Sequence, residues 1–201
     1  MREESWLPAN PAPLGLAGFG ITTLVLSLVN SNLVGGTSLP VVLGLALAYG
    51  GLAQLLAGMW EFRTGNTFGA VAFTSYGAFW ISFYFLVNQN LPGLIKSGAA
   101  PSAVGAYLWA WALITGLLFL CSFKQPIAVI LVFLALTVTF ALLGAGWSAG
   151  PLTEIGANTQ KTIHAGGFAG LVTAGLALYA AAGGIMRHQY GRAILPFTVK
   201  S

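Results

Sequence analysis

The chain has 201 residues, of which 57% are hydrophobic and only 6% are charged. A soluble globular domain carries about 25% charged residues, so this composition excludes one. The net charge of +4 comes from basic residues scattered singly along the chain, which does not favour a nucleic-acid-binding protein. Apolar stretches lie between these charges, are long enough to cross about 30 Å of hydrocarbon, and do not alternate like barrel strands. We therefore expect an all-α polytopic membrane protein.

Six transmembrane helices are predicted, separated by turns rich in Gly, Pro, Asn and charged residues. Their approximate ranges are Pro13–Asn32, Leu39–Glu61, Thr67–Asn88, Ala103–Phe123, Ile127–Gly146 and Thr162–Arg187. We expect loops over residues 89–102 and 149–161. The predicted organisation is an N-terminal segment over residues 1–12, a transmembrane channel or transporter domain over 13–187, and a basic tail over 188–201.

The distribution of lysine and arginine predicts the orientation. One set of ends and turns holds Arg2, Arg63, Lys124, Arg187, Arg192 and Lys200. The other set holds only Lys96 and Lys161. Cytoplasmic loops carry the excess of Lys and Arg, and an even number of spans returns the chain to its starting side. We therefore expect both termini in the cytoplasm of a cell whose inner or plasma membrane holds the protein.

Polar residues at the starts of the first and third helices have two interpretations. Asn10 and Asn66 can cap these helices. Since helix N-termini also favour anions, the two amides can instead converge on a vestibule for a carboxylate. The third helix continues with Thr67, Thr74 and Ser75. Their hydroxyls either bond back to their own helix or line a path.

Two further polar side chains are candidates for a path. Gln54 in the second helix either joins helices or lines the path. His164 enters the sixth helix from the opposite side, where it either lies at the membrane interface or contacts a solute.

Residues for enzymatic chemistry are missing from the sequence. It contains no nucleophile elbow, phosphate-binding loop, paired cysteines or histidines at metal-binding spacing. Apart from residues at helix ends, no carboxylate or lysine lies inside a predicted span, which disfavours a proton relay and most intramembrane enzymes. We expect no enzymatic activity, no metal and no cofactor. A path would be built from aromatic rings, amides and hydroxyls.

Three large side chains share one predicted depth in the membrane. Phe19, Tyr76 and Leu136 each follow a polar residue at the same end of their helices by nine to twelve positions. At about 1.5 Å per residue they lie roughly 13–18 Å along the helix, near the middle of the bilayer. A ring of this kind blocks ions and hydrated solutes but passes a small molecule that sheds its water. Ordinary core packing is the other interpretation.

The sixth helix carries small residues at a spacing of four, at Gly166, Gly170 and Ala174. This spacing lets two helix backbones approach closely within a membrane. The partner is either another helix of the same chain or a second subunit.

The run Asn10–Leu16, with the sequence NPAPLGL, resembles the signature of the acetate uptake transporter family, the family of the succinate-acetate permeases. Further resembling segments are Tyr49–Gly51, Ala53–Gln54, Ala57–Gly58, Glu61, Gly65–Gly69, Ala72–Gly77, Phe79–Trp80, Leu136–Val138, Phe140–Leu143, Ile163–His164, Gly191–Arg192 and Leu195–Pro196. The likeness covers nearly the whole chain. The loops over residues 89–102 and 149–161 depart from the family in length and content.

The resemblance implies six-helix subunits, each with its own pore, assembled as a hexamer around a central axis. It implies movement of acetate and, in some members, of succinate or other short monocarboxylates. Phe19, Tyr76 and Leu136 look similar to the family's narrow constriction, and Ala177 matches a position in the sixth helix that is thought to help set substrate size. The resemblance does not decide between a channel and a proton-coupled transporter.

We therefore interpret the chain as a membrane channel or proton-linked transporter for acetate. Its partners are then the carboxylate solute, protons, membrane lipid and other copies of the chain. Two alternatives remain open, namely a channel for a neutral solute such as urea or a short amide, and a non-transporting membrane sensor or assembly protein.

Overall fold

The computed structural model describes residues 8–98, 102–149 and 157–199. In this part of the chain, six helices are long and apolar enough to cross a membrane. They are α1 (Ala12–Asn30), α2 (Pro40–Thr64), α3 (Thr67–Lys96), α4 (Ser102–Cys121), α5 (Ile127–Ser148) and α6 (Ala157–Tyr190). The prediction of an all-α chain with six candidate membrane spans is confirmed. The predicted positions of Arg2 and Lys200 lie outside the described residues.

Two helices contain a wider, π-helical turn. In α2 this turn covers Ala48–Ala53, and in α3 it covers Leu86–Asn90. The predicted end of α3 at Asn88 is wrong, because the chain stays helical through Lys96. Pro92 is compatible with this continuation because it lies in the first turn of the α-helical segment Leu91–Lys96, where proline is tolerated.

The predicted start and end of α6 also need correction. The described helix begins at Ala157, so Lys161 lies within α6 rather than in a loop. It ends at Tyr190, three residues beyond the predicted boundary at Arg187. A helix of this length is longer than the hydrocarbon core of a bilayer is thick. We therefore expect its two ends, whose sequences are polar but still compatible with a helix, to extend past the core.

The small residues of α6 pack inside the chain. A methyl group on Gly167 would lie 2.6 Å from the backbone carbon of Asn30 in α1. One on Gly166 would lie 2.7 Å from the Leu143 side chain in α5. Ala174 is fully buried. Because α6 contacts both α1 and α5, these residues serve the close approach of helices within one chain.

Both described ends of the chain lie at the same end of the bundle. The Tyr179 hydroxyl donates to the Pro196 carbonyl at 2.9 Å, and the Ala128 N–H donates to the Phe197 carbonyl at 3.0 Å. The start of α1 lies at this end as well, because a methyl group on Gly184, near the end of α6, would lie 2.9 Å from Pro13. Since α2 runs back towards the start of α1, the turn between α2 and α3, where Gly65 adopts a φ of 76°, lies at this end too. We refer to this as the terminal end and to the opposite one as the far end.

Candidate functional site

Two internal cavities lie one above the other along the bundle. The terminal-side cavity has a volume of about 70 Å³ and the far-side cavity about 100 Å³. One water needs roughly 10–15 Å³ on this measure, so each cavity has room for a small solute. Both are lined mainly by α1, α3 and α5, which are the three helices that enter from the terminal end.

The two cavities are defined by their lining residues. The terminal-side cavity is lined by Ala12, Leu16, Phe19, Gln54, Asn66, Phe68, Gly69, Ala72, Phe73, Tyr76, Gln125, Val129, Val132, Phe133 and Leu136. The far-side cavity is lined by Phe19, Thr23, Leu26, Ser27, Asn30, Leu39, Phe79, Trp80, Phe83, Leu86, Val87, Leu91, Val104, Tyr107, Leu108, Leu136, Thr139, Phe140, Leu143 and Trp147.

Phe19 and Leu136 are the residues that line both cavities. They are only 4% and 3% exposed. Tyr76 lines the terminal-side cavity beside them, with its ring centroid 5.5 Å from that of Phe19 and an interplanar angle of 50°. We refer to these three residues as the waist. The structure brings together the three side chains that depth counting selected. Their action on a permeating solute stays a prediction.

Further aromatic rings surround the waist, and sequence reasoning missed them. The Phe133 ring lies 6.1 Å from that of Tyr76, and the Phe79 ring packs edge-on against Phe140 at 5.2 Å. Helical spacing is the signal that finds them, because each lies three or four residues from a waist residue on the same helix.

The hydroxyl of Tyr76 is engaged in packing between helices. It donates to Thr115 Oγ1 of α4 at 3.0 Å, and Thr115 Oγ1 donates to the Trp111 carbonyl at 2.6 Å. Thr115 is fully buried. The aromatic ring of Tyr76 therefore faces the cavity, while its polar atom ties α3 to α4.

Two amide side chains predicted from the sequence line the terminal-side cavity. Gln54 is 1% exposed, directly follows the π turn of α2, and its Oε1 has no hydrogen-bond partner in the described part of the chain. Asn66 caps α3, because its Oδ1 accepts from the Gly69 N–H at 3.2 Å. Together with Gln125, the two amides give a largely apolar cavity its capacity to bind a carboxyl group.

A buried glutamate lies behind Asn66, and the sequence analysis did not select it. Glu61 is 1% exposed, and its Oε2 accepts from Asn66 Nδ2 at 2.8 Å. The Thr64 hydroxyl lies 3.3 Å from the same oxygen and 2.9 Å from the Glu61 carbonyl, to which it donates. Its Oε1 has no hydrogen-bond partner among residues that the structure describes. In sequence it resembles an ordinary acidic residue at a helix end, and only its packing reveals that it is buried.

Hydroxyl groups supply most of the polar side chains of the far-side cavity, beside the amide of Asn30. Thr23, Ser27 and Thr139 line it, and Thr139 Oγ1 lies 3.2 Å from Thr173 Oγ1 of α6. Thr23 Oγ1 is buried without a partner in the described chain. Thr23 and Ser27 follow Phe19 at intervals of four residues, so helical periodicity could have identified them.

Four other predicted residues lie away from both cavities. Asn10 is exposed in a groove that also contains Arg187, and its Oδ1 accepts from the Ala12 N–H at 3.1 Å. Thr67 is exposed, and Ser75 is half-buried outside either lining. Thr74 packs against α2, where a methyl on Gly58 would come within 2.5 Å of its backbone nitrogen. The convergence of Asn10 and Asn66 on one cavity is not seen.

The two predicted residues of α6 also lie outside the cavity linings. His164 is half-buried. Ala177 is fully buried and belongs to the apolar cluster that includes Phe19 and Leu136. Among the described residues, no group of three or more His, Cys, Asp or Glu side chains could hold a metal ion.

Comparisons with known proteins agree with this architecture. The sequence pattern of the GPR1/FUN34/yaaH family matches residues 4–198. The succinate-acetate/proton symporter SatP of Escherichia coli K12 is 41% identical, over 94% of this chain and 94% of its own length. Acetate permease A of Emericella nidulans is 40% identical, over 94% of this chain and 65% of its own length. These relatives are transporters rather than enzymes.

A solved structure has the same fold. The bacterial acetate channel SatP superposes with a TM-score of 0.82 at 38% identity, covering 94% of this chain and 98% of that chain. The match of nearly the whole sequence, together with the shared fold, therefore makes this chain a member of the GPR1/FUN34/yaaH family of multi-pass membrane proteins.

Proposed function

We propose that this protein is a channel or proton-linked transporter for acetate, with a pore that runs through each subunit. The observation that carries the proposal is the arrangement of the two cavities, which meet at the buried side chains of Phe19 and Leu136. The solute path runs from the far-side cavity, past the waist, into the terminal-side cavity. The names of SatP and acetate permease A support acetate as the substrate. Succinate and other short carboxylates are further candidates.

The terminal-side cavity binds the carboxyl group in this proposal. Gln54 and Asn66 supply amide groups there, and the remaining lining is largely apolar. An amide N–H donates to the carbonyl oxygen of an acid or to a carboxylate, and the apolar wall accommodates the methyl group.

The waist favours the neutral acid over the anion. No charged residue lines either cavity in the described part of the chain, so a bare carboxylate would lose its hydration without compensation at Phe19 and Leu136. Acetic acid carries a carboxyl group like those of Asp and Glu, whose pKa values are about 3.9 and 4.3, so it is mostly ionised at neutral pH. Uptake is therefore linked to protons and strongest at acid pH.

The waist also limits the size of the solute. Each added methylene must pass between large, buried side chains, and discrimination by one methylene in an apolar site is worth about 1–3 kcal/mol. Acetate is favoured over longer acids for this reason. Ala177, which is buried in the same apolar cluster as the waist residues, contributes to this limit because a larger side chain there would displace its neighbours in the cluster.

The protein lies in the inner or plasma membrane with both termini in the cytoplasm, so the terminal end faces the cytoplasm. The basic residues Arg63, Lys124, Arg187 and Arg192 at that end support this orientation. The family resemblance supports a homohexamer in which each subunit keeps its own pore. Mass measurement of the detergent-solubilised protein tests the hexamer, and protease protection of tagged termini tests the orientation.

Flux of labelled acetate into proteoliposomes tests the function. We expect uptake above that of protein-free vesicles, driven further by an inward proton gradient. At a fixed concentration of acetate anion, uptake should rise as the pH falls. Equal uptake at acid and neutral pH would contradict the proton linkage and leave an anion channel. No protein-dependent flux from folded protein would favour a sensor or assembly protein instead.

A channel for a neutral solute is the second candidate. The waist carries no charged group, and the polar side chains of the terminal-side cavity are the amides Gln54, Asn66 and Gln125, which also suit urea or a short amide. Flux of labelled urea in the same vesicles separates the two candidates. Urea flux without acetate flux would replace the acetate proposal.

A further inference from the structure

We infer that Glu61 is a proton-sensitive positioning residue, which controls the solute-binding amide of Asn66 and thereby makes flux depend on pH. This inference rests on the proposed transport of acetate. The pH then acts on flux in two ways, through protonation of the solute and through protonation of Glu61.

Glu61 is a buried acid with little compensation for a negative charge. It is 1% exposed within α2, and it is the only Asp or Glu among the described residues. Asn66 Nδ2 donates to its Oε2 at 2.8 Å, whereas the Thr64 hydroxyl lies 3.3 Å from the same oxygen and bonds at 2.9 Å to the Glu61 carbonyl. Oε1 has no hydrogen-bond partner among the described residues. A buried carboxylate needs a cation or several donors, so this surrounding also accommodates the neutral carboxyl group.

The helices packed against α2 do not provide a nearby charge. These helices are α1 and α3. The described residues of α1 contain no charged side chain, and the one in α3 is Lys96 at the far end. Arg63 follows Glu61 on α2 and is exposed, and the ring hydroxyl of Tyr76 in α3 is bonded to Thr115. Among these groups, Glu61 is the one whose charge changes beside the cavity.

Glu61 touches two residues that line the terminal-side cavity. Asn66 lines it and donates to Glu61 at 2.8 Å. Gly69 also lines it, and a methyl group there would lie 2.8 Å from Glu61 Cδ and 3.1 Å from Oε1. The Asn66 side chain and the Gly69 backbone therefore separate Glu61 from the cavity, so a change of charge at Glu61 acts at close range.

The proton changes what Asn66 can offer to the solute. Ionised Glu61 holds the Asn66 amide in a charge-assisted hydrogen bond, which is roughly twice as strong as a neutral one. When a hydronium ion gives its proton to the carboxylate, an O–H bond forms on Glu61 and one breaks in the hydronium ion, leaving water. The hydrogen bond from Asn66 to Glu61 weakens, and the Asn66 N–H can then donate to the carbonyl oxygen of the acid. Removing the negative charge also ends the repulsion of any acetate anion in the cavity.

The test is labelled acetate exchange with the same pH on both sides of the vesicle and a fixed concentration of undissociated acetic acid. Diffusion of the acid through lipid is then constant across the series. Flux through the native protein should still rise as the pH falls, approaching tenfold per pH unit above the midpoint for one proton. Glu61→Gln keeps an acceptor for Asn66 but cannot titrate, so its flux should change less than about twofold across the same series.

Two variants separate the pH-sensing role from a structural one. Glu61→Asp retains a titratable group and should retain the pH dependence. Thr64→Val removes the hydroxyl that lies 3.3 Å from Oε2 and should also leave the dependence in place. The inference is overturned if native flux is constant at fixed acetic acid, or if Glu61→Gln keeps the native pH profile.

Infrared difference spectra of the purified native protein give a reading that does not need transport. A carbonyl band of protonated carboxyl groups should appear on acidification, and the component that belongs to Glu61 should be missing from the band of Glu61→Gln, in which the other three glutamates still titrate. Absence of the Glu61 component from the native protein would overturn the inference. If the Glu61 band is present but no protein-dependent acetate flux is measured, proton binding at Glu61 is supported and the proposed transport function is contradicted. Failure of the inference and failure of the proposed function therefore give different results.

Discussion

The terminal-side and far-side cavities share the lining residues Phe19 and Leu136 but differ in the polar side chains of the rest of their linings. On the terminal side, the polar groups are the amides of Gln54, Asn66 and Gln125, with the carboxyl group of Glu61 behind Asn66. On the far side, hydroxyls of residues such as Thr23 and Thr139 predominate, and Asn30 is the one amide among the described residues of the lining. Amides donate and accept strongly and keep a fixed direction, whereas a hydroxyl of a helix can bond to its own backbone, as Thr139 does to the Ala135 carbonyl at 2.8 Å. The difference indicates that recognition is concentrated on the terminal side.

This contrast assigns the waist a role that differs from that of the two cavities. If recognition of the carboxyl group belongs to the terminal-side cavity, then Phe19 and Leu136, which line both cavities, decide size and hydration. Variants in the waist should change which solutes pass, and variants in a cavity should change how strongly one solute binds. The predictions below separate these effects.

Leu136→Ala should give the largest effect. Shortening this 3% exposed side chain opens the waist, so the preference for acetate over butyrate should fall by about tenfold or more, the value of one to two methylenes in an apolar site. Competition between labelled acetate and butyrate in proteoliposomes measures the preference. Leu134→Ala is the matched control, because Leu134 lies on the same helix and is 43% exposed. Unchanged preference in Leu136→Ala would mean that the waist does not select by size.

Gln54→Leu should weaken binding without changing selectivity for chain length. The variant removes an amide that lines the terminal-side cavity, and the loss of about 0.5–1.5 kcal/mol corresponds to an increase in KM of up to about tenfold. Initial rates of acetate flux at a series of concentrations give KM. Gln89→Leu is the control, because Gln89 is exposed in α3 and lines neither cavity. An unaltered KM would mean that Gln54 joins helices and does not bind the solute.

Thr23→Val tests whether the far-side cavity takes part in binding. Thr23 Oγ1 has no partner in the described chain, so its removal breaks no internal hydrogen bond and should raise KM only about two- to threefold. Thr22→Val is the neighbouring control, since Thr22 Oγ1 donates to the Gly18 carbonyl at 2.8 Å and does not line the cavity. An effect on KM as large as that of Gln54→Leu would abolish the contrast between the cavities.

Composition and hydropathy were sufficient to predict the six helices, and depth counting brought Phe19, Tyr76 and Leu136 to one level. Helices that enter a bilayer from the same side rise at the same rate, so residues at equal distances from that side lie at similar depth. Depth carries no information on direction around the helix. Residue type carries none either, so Thr74 was selected for its hydroxyl although it packs against α2. Thr23 was missed although it lies one turn from Phe19 and lines the far-side cavity.

Glu61 illustrates what a sequence cannot show without packing. An acid in the last turn of a helix is usually solvated, and nothing in its neighbours in sequence marks it as different. It becomes buried because Asn66 turns back to cap α3 and because Gly69 has no side chain to displace it. The continuation of α3 past Pro92 was missed for a related reason, since a π turn is not visible in hydrophobic periodicity.

Tyr76→Phe should give the smallest change and shows which part of this residue belongs to the waist. Its hydroxyl donates to Thr115 Oγ1 at 3.0 Å, away from the cavity, while its ring lies 5.5 Å from that of Phe19. Thr115 keeps its own bond to the Trp111 carbonyl when the hydroxyl is removed. We expect the free energy of unfolding to fall by about 0.5–1.5 kcal/mol, measured by thermal unfolding in detergent. The preference for acetate over butyrate should stay the same, because the ring that faces the solute is unchanged. A loss of preference as large as in Leu136→Ala would place the hydroxyl in the path, and the waist would then bind the solute as well as limit its size.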